Sequence, residues 1–227
     1  MRAVVFDFDG VLVDSEPLHF RALKETLRLE RIEIDEDEYY STYLAYDDRE
    51  AIRVALEQHA VPRDREQIQL MARRKAEIFE ALIPEITFFP GAQALVRTLH
   101  DELPLGIASG ALRGEIEAIL ETAGLSGAFA TIVGADDVAH GKPHPEPYLS
   151  AMTRLPGLPG LRPEDCLAIE DSPPGIVSAR AAGMKVLAIT HSYPRPKLGS
   201  ADRVVDSLEG LNSAVLRSLF TPIDETD

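Results

Sequence analysis

Cysteine is almost missing from this chain. Cys166 is the single one among 227 residues, so no disulfide can form within it. That composition fits a reducing compartment, and a cytoplasmic location is expected. Long apolar runs are missing as well. Nothing approaches the roughly 18 consecutive apolar residues of a membrane span, so no membrane association is expected. The opening segment MRAVVFDFDGVLVDSE is interrupted by acids, so no signal peptide is expected. Basic charge is in short supply: 23 Lys and Arg stand against 38 Asp and Glu, a formal net charge of -15. Phosphate backbones attract basic surfaces, so nucleic acid is not expected as a partner. A small anionic substrate remains open, because a few local cations suffice to hold one. Apolar residues are plentiful at 45%, which is not the composition of a disordered chain, and 227 residues suffice for one good-sized domain or for one core plus a small accessory domain.

Several short apolar runs read as strands buried on both faces: Ala3 to Phe6, Leu105 to Ala108, Thr131 to Val133, Cys166 to Ile169, Val186 to Ile189 and Val204 to Val205. Helical patterns separate them. Leu112, Ile116, Ile119 and Leu120 share one face ahead of Gly124, and the stretch Pro174 to Ala182 ends at Gly183, both glycines standing where a helix terminates. This alternation predicts an α/β fold with a doubly wound parallel sheet, whose ligands bind beyond the carboxyl ends of the strands. From about Ser15 to Pro84 no strand-like run stands out. Leu18, Leu23 and Leu27, then Ile52 and Leu56, then the segment from Ile68 to Ile78 recur at helical spacing. The expected organisation is a core segment 1–14, a helical domain 15–85 and the remainder of the core at 86–227, with the turn Phe89-Pro90-Gly91 near the exit. Residues 155–160, LPGLPG, read as a loop.

Acids cluster at two of the strand ends. Asp7, Asp9 and Asp14 follow the first strand, and Glu170 and Asp171 follow the run that begins at Cys166. Carboxylates at strand ends are expensive to bury without a partner cation. Loop acids or helix caps are the alternative reading, with Asp171 or Ser172 capping the helix after Pro173. Two acidic strand ends in one parallel sheet can converge at one edge, and hard oxygen ligands suit magnesium. Ser109 and Gly110 end a further strand, where a hydroxyl and the following amides suit either a phosphate oxygen or an ordinary helix cap. Lys142, in GKPHPEPYL, is either a solvent-facing lysine or an ammonium aimed inward by the stiff prolines around it.

DFDGVLVDSE, the Ser109 strand end, GKPHPEPYL and IEDSPPGI stand in the order of the four motifs of the haloacid dehalogenase superfamily. The chain resembles that family nearly end to end, and within it the phosphatase branch with a helical cap after the first motif, which holds phosphoglycolate phosphatases, sugar-phosphate phosphatases and β-phosphoglucomutases. The resemblance implies that Asp7 attacks phosphorus and becomes an aspartyl-phosphate. It implies that Asp9 protonates the leaving oxygen and then activates water or a hydroxyl. Ser109, Gly110 and Lys142 would hold phosphoryl oxygens. Magnesium would sit on Asp7, Asp171 and the Asp9 carbonyl, with Glu170 as an inner or outer ligand.

The resemblance extends to His19, Arg49 and Lys75, which match positions that β-phosphoglucomutases use to bind substrate. There the arginine holds the non-transferring end of a bisphosphate and the histidine aids the attacking hydroxyl. Solvated helix faces are the alternative, and Asp47 and Asp48 offer Arg49 local carboxylates. Arg113 stands where the mutases carry an asparagine, and IEDSPPGIVSARAAGM is worded like a general phosphatase. The expected function is therefore magnesium-dependent hydrolysis of a small phosphorylated metabolite, of the sugar-phosphate or phosphoglycolate type, by a monomer or weak homodimer. A phosphosugar mutase and an inactive module that binds a phosphorylated ligand are the alternatives.

Overall fold

The computed structural model describes residues 1–44 and 46–220; residues 221–227, the end of the expected segment 86–227, lie outside the described residues. The chain forms two compact units, one of Met1–Asp14 with Thr87–Asp227 and one of Ser15–Ile86. No described helix is long and apolar enough to cross a membrane.

The Ser15–Ile86 unit is helical. It holds α1 (Glu16–Arg28), the short α2 (Glu36–Glu38) running into a π-helical turn at Tyr39–Tyr43, α3 (Asp48–Gln58) and α4 (Arg65–Leu82). Polar caps start these helices: the Asp35, Asp47 and Asp64 side chains accept amide hydrogens at the starts of α2, α3 and α4, and Gln67 reciprocates at Asp64. The apolar stripes meet inside, where Leu23 and Leu27 of α1, Ile52 and Leu56 of α3 and Met71 of α4 join Tyr39 and Tyr43 in one buried cluster.

The other unit is built on a sheet. Its strands are β1 (Ala3–Phe6), β2 (Val13–Asp14), β3 (Thr87–Phe88), β4 (Leu105–Ala108), β5 (Thr131–Val133), β6 (Cys166–Glu170), β7 (Lys185–Ile189) and β8 (Arg203–Val205). Six of them lie in the order β5-β4-β1-β6-β7-β8, all parallel. Each strand of the expected set is present, extended by one residue at Glu170, Lys185 and Arg203. β2 and β3 are a two-residue antiparallel pair, Val13 opposite Phe88 and Asp14 opposite Thr87, that no sequence pattern marked. The helices of this unit are α5 (Ala92–His100), α6 (Arg113–Thr122), α7 (Glu146–Arg154), α8 (Pro173–Ala181) and α9 (Ser213–Arg217). Side chains alternate across β1. Ala3 and Val5 join a cluster with Tyr148 and Ala151 of α7 and Ile176 and Ala179 of α8. Phe6, of opposite parity, meets the Phe129 ring edge-on at 6.0 Å. Gly124 and Gly183 take the left-handed backbone just beyond α6 and α8.

Candidate active site

β1 is flanked by β4 on one side and β6 on the other, so three parallel strands deliver their carboxyl ends side by side. Asp7 follows β1, Ser109 follows β4, Glu170 ends β6 and Asp171 follows it. Pairing continues past the strand ends: the Asp7 amide donates to the Ile169 carbonyl at 2.9 Å and the Ser109 amide to the Val133 carbonyl at 2.9 Å. Asp7, Ser109, Glu170 and Asp171 are all buried, and one oxygen from each of the three acids lies within 4.8 Å of the others.

Lys142 reaches this cluster from the loop before α7. Its ammonium lies 2.9 Å from Asp7 Oδ1 and 2.6 Å from Glu170 Oε1, over the Tyr148 ring at 5.2 Å. The inward reading of Lys142 therefore describes the molecule, and the solvent-facing one does not. Glu170 is saturated by donors: Lys142 and the Tyr148 hydroxyl (2.7 Å) on Oε1, and the Asp171 amide, the Ser172 amide and the Ser172 hydroxyl on Oε2. A carboxylate offers about four lone-pair sites, so these five donors take most of its accepting capacity and fix it in place. Tyr148 stands within GKPHPEPYL, but the motif alone gave no reason to assign it a role.

Ser109 Oγ accepts from the Ala111 amide at 3.0 Å and donates to Asp9 Oδ2 at 3.4 Å. It caps a turn and not a helix, since α6 begins only at Arg113. Gly110 is exposed beside it with open space around its α-carbon. The helix cap at α8 is Ser172, whose Oγ accepts from the Gly175 amide at 3.2 Å, so Asp171 is spared that duty. His191, which no motif singled out, stacks on Phe89 at 3.8 Å and shares a 2.9 Å hydrogen bond between Nδ1 and the Gly10 carbonyl, bracing the turn after Asp9.

Three carboxylates face one ammonium here, and the titration behaviour follows. Burial, then repulsion from Glu170, holds the Asp7 carboxyl well above the ordinary aspartate range against the pull of Lys142. Burial and the Glu170 charge push Asp171 up to about 7. Burial would raise Glu170 too, but Lys142, Tyr148 and the Ser172 amide outweigh it and hold that carboxyl below its usual range. Burial works against the Lys142 ammonium, and the two carboxylates overcome it and keep it protonated.

The unbalanced charge fits a hard divalent cation, with only oxygen donors on Asp7 and Asp171. The backbone leaves room for the Asp171 carboxylate. Gly10 has φ +75°, and a Cβ there would stand 2.0 Å from Asp171 Oδ2. Gly10→Ala is therefore expected to weaken activation by magnesium at least ~10-fold, since the backbone or Asp171 must move and alanine adds left-handed strain of ~1–2 kcal/mol. Magnesium titrations of activity check this; an unchanged activation curve would show that the close approach does not matter.

In the helical unit, Lys75 is 3% exposed and donates to Asp48 Oδ1 at 2.5 Å and to His19 Nδ1 at 2.8 Å. His19 stacks on Phe79 at 4.1 Å, and burial followed by the Lys75 charge lowers its pKa to about 3. It is thus neutral, with Nδ1 as acceptor and the proton on Nε2. Arg49 is exposed. The local carboxylates expected to pair with it are engaged elsewhere: Asp47 accepts the Arg49 and Glu50 amides, and Asp48 takes Lys75.

Residues 1–183 match the sequence profile described as haloacid dehalogenase-like hydrolase. The chain belongs to that family. It is an enzyme of the hydrolase class and is similar along most of its length to proteins named as phosphatases. The phosphoglycolate phosphatase of Salmonella typhi is 28% identical over 237 residues, 95% of this chain and 92% of the relative. CbbY from Rhodobacter sphaeroides, solved in complex with phosphate, superimposes with a TM-score of 0.81 at 28% identity, covering 94% of this chain and 98% of that one. A variant of the same protein was solved with xylulose-(1,5)bisphosphate. The bifunctional riboflavin kinase/FMN phosphatase of Arabidopsis thaliana is 40% identical over 139 residues, 58% of this chain, but this chain spans only 34% of that protein's length.

Proposed function

We propose that this hydrolase is a magnesium-dependent phosphatase of a small phosphorylated metabolite, of the sugar-phosphate or phosphoglycolate type, working through an aspartyl-phosphate on Asp7. The observation that carries the reading is the Asp7 carboxylate at the end of the central strand, with the Lys142 ammonium at 2.9 Å and the Ser109 hydroxyl next to Asp9. A carboxylate oxygen of Asp7 attacks phosphorus, and the bond from phosphorus to the ester oxygen breaks. The Asp9 carboxyl gives its proton to the leaving oxygen, then takes one from the water that attacks the acyl-phosphate, and phosphate leaves with Asp7 restored. Lys142 and Ser109, with the exposed Gly110 amide, hold phosphoryl oxygens as negative charge builds on them. Asp7, Asp171 and the Asp9 carbonyl would hold magnesium, with Glu170 supporting them by fixing Lys142 and not as an inner ligand. The ion, when bound, screens the anionic phosphate from the anionic nucleophile.

Hydrolysis is favoured over phosphosugar transfer by Arg113. Its guanidinium is spent on Asp137 at 3.0 Å and on Glu117 at 3.5 Å, where the mutases carry an asparagine. The pairing of His19 with Lys75 is what favours a mutase. Phosphate release across a panel of phosphorylated metabolites, with and without magnesium, tests the reading. A separate assay with β-glucose 1-phosphate and a catalytic amount of the bisphosphate tests the mutase. No phosphate release from any member, or isomerisation outpacing release, overturns hydrolysis.

The helical unit is read as the cap that selects the substrate, and Arg49 as its contact with the end remote from the phosphoryl group. Arg49→Ala is expected to lower kcat/KM for the best metabolite ~10-fold or more, about 1.4 kcal/mol of transition-state binding, and to change an aryl phosphate far less. Equal losses on both substrates would make Arg49 structural, and no loss on either would leave it a solvated surface residue.

A further inference from the structure

The loop that carries Lys142 gathers a second group of side chains of metal-ligating type, and this one faces solvent. Its sequence, HGKPHPE, brings His140, His144 and Glu146 together through its own turns. The His144 amide donates to the Gly141 carbonyl at 3.0 Å, and the Glu146 carboxylate folds back to accept the Ala139 amide at 2.9 Å and the His140 amide at 3.1 Å. From beneath, the Ser178 hydroxyl donates to the His144 carbonyl at 2.6 Å. The result is a braced loop, with both imidazoles on the solvent side at 66% and 50% exposure.

The donors already converge. His140 Nδ1 lies 2.9 Å from Glu146 Oε2, and His144 Nδ1, which accepts the Glu146 amide at 3.2 Å and would exchange that bond for the ion, lies 3.8 Å from it; one ligand atom from each of the three residues lies within 4.8 Å of the others. The two rings are 4.7 Å apart, tilted by 34°. Tetrahedral zinc, with bonds near 2.0–2.1 Å, sets its ligand atoms about 3.4 Å apart, so small side-chain rotations reach the required spacing. Two imidazoles and a carboxylate form a borderline donor set, which prefers zinc, nickel or copper to magnesium, and three protein ligands leave a position for water. The Asp7, Glu170 and Asp171 group is its chemical opposite, buried and made only of oxygen. Millimolar magnesium therefore does not compete for the loop.

We propose that His140, His144 and Glu146 form a solvent-facing site for a divalent transition-metal ion of the zinc class, which fastens the loop carrying Lys142. The proposal stands on this cluster and not on the phosphatase reading. Glu146 is pre-organised for it: the Ala139 amide and His140 hold its carboxyl ionised, and no long side chain must be ordered from free solution.

Calorimetric titration of the untagged full-length chain with zinc, in millimolar magnesium, tests it. One zinc ion per chain is expected, with slower amide hydrogen exchange across residues 139–147. The double variant His140→Ala/His144→Ala should bind it at least ~10-fold more weakly and lose the exchange effect. Both imidazoles are exposed, so its melting temperature and its magnesium-dependent activity should stay close to wild type. Glu146→Gln, which keeps an oxygen for the loop amides but loses the charge, should also bind more weakly. A wild-type chain that takes up no zinc at micromolar free ion overturns the proposal. So does an affinity unchanged in the double variant, which would place the ion elsewhere.

Discussion

Asp7→Asn is expected to remove turnover and leave the protein at least as stable as wild type. The two halves of this result have separate causes. An amide oxygen does not form an acyl-phosphate at a useful rate, so activity should fall below ~1% of wild type. Stability goes the other way because Asp7 is one of three buried carboxylates that share one ammonium, Lys142. Asparagine keeps an oxygen for the Phe8 amide, which donates to Asp7 Oδ1 at 2.7 Å, and for Lys142, while it removes a charge that Glu170 and Asp171 repel. Thermal melting without a divalent cation should show an equal or higher midpoint. Activity above ~1% in a clean preparation would end the case for Asp7 as nucleophile. Asp9→Asn should also cripple the enzyme, by removing proton transfer worth ~10²–10⁴-fold, although its half-exposed site predicts no comparable gain in stability.

Exhaustive chelation is expected to stop turnover, and magnesium to restore it. The same carboxylates give this a pH signature. Asp171 titrates near 7 in the folded protein and Asp7 is raised as well. A carboxyl whose folded pKa exceeds its unfolded value holds its proton more tightly when folded. Its contribution therefore favours folding below the ordinary aspartate pKa and is lost as pH rises through the folded value, about 7 for Asp171. Glu170 runs the opposite way: its folded pKa is depressed, so its contribution persists at neutral pH and is lost on acidification. Metal-free protein should thus lose stability as pH climbs from about 5 towards and past 7. Magnesium held by the ionised carboxylates would raise the melting temperature most above pH 7 and less below it. Melting curves across that window, with and without magnesium, check both statements. Full activity after chelation would take the metal out of the reaction, and a magnesium shift that grew on acidification would take these acids out of its binding.

Much of this was legible in the sequence, for a local reason. Strands buried on both faces need unbroken apolar runs, so Ala3 to Phe6 or Thr131 to Val133 announces itself, and only the ends slip by a residue, as at Glu170 and Arg203. The β2–β3 pair stayed hidden because two residues carry no periodicity and their partners lie across the whole helical insertion. The acidic strand ends were visible as acids, but what they do depends on strand order, which packing sets and no single segment contains. Only with β4 and β6 on either side of β1 do Ser109, Asp7 and Asp171 share an edge. The same holds for the choices that residue type left open. Lys142 turns inward because Asp7 and Glu170 wait there, Ser172 rather than Asp171 caps α8, and Asp48 goes to Lys75 and not to its neighbour Arg49. Residue type and spacing determined which elements form and which groups are available for chemistry. Which groups meet was decided by tertiary structure, because the partners of a buried charge are brought to it by packing between segments distant in the chain.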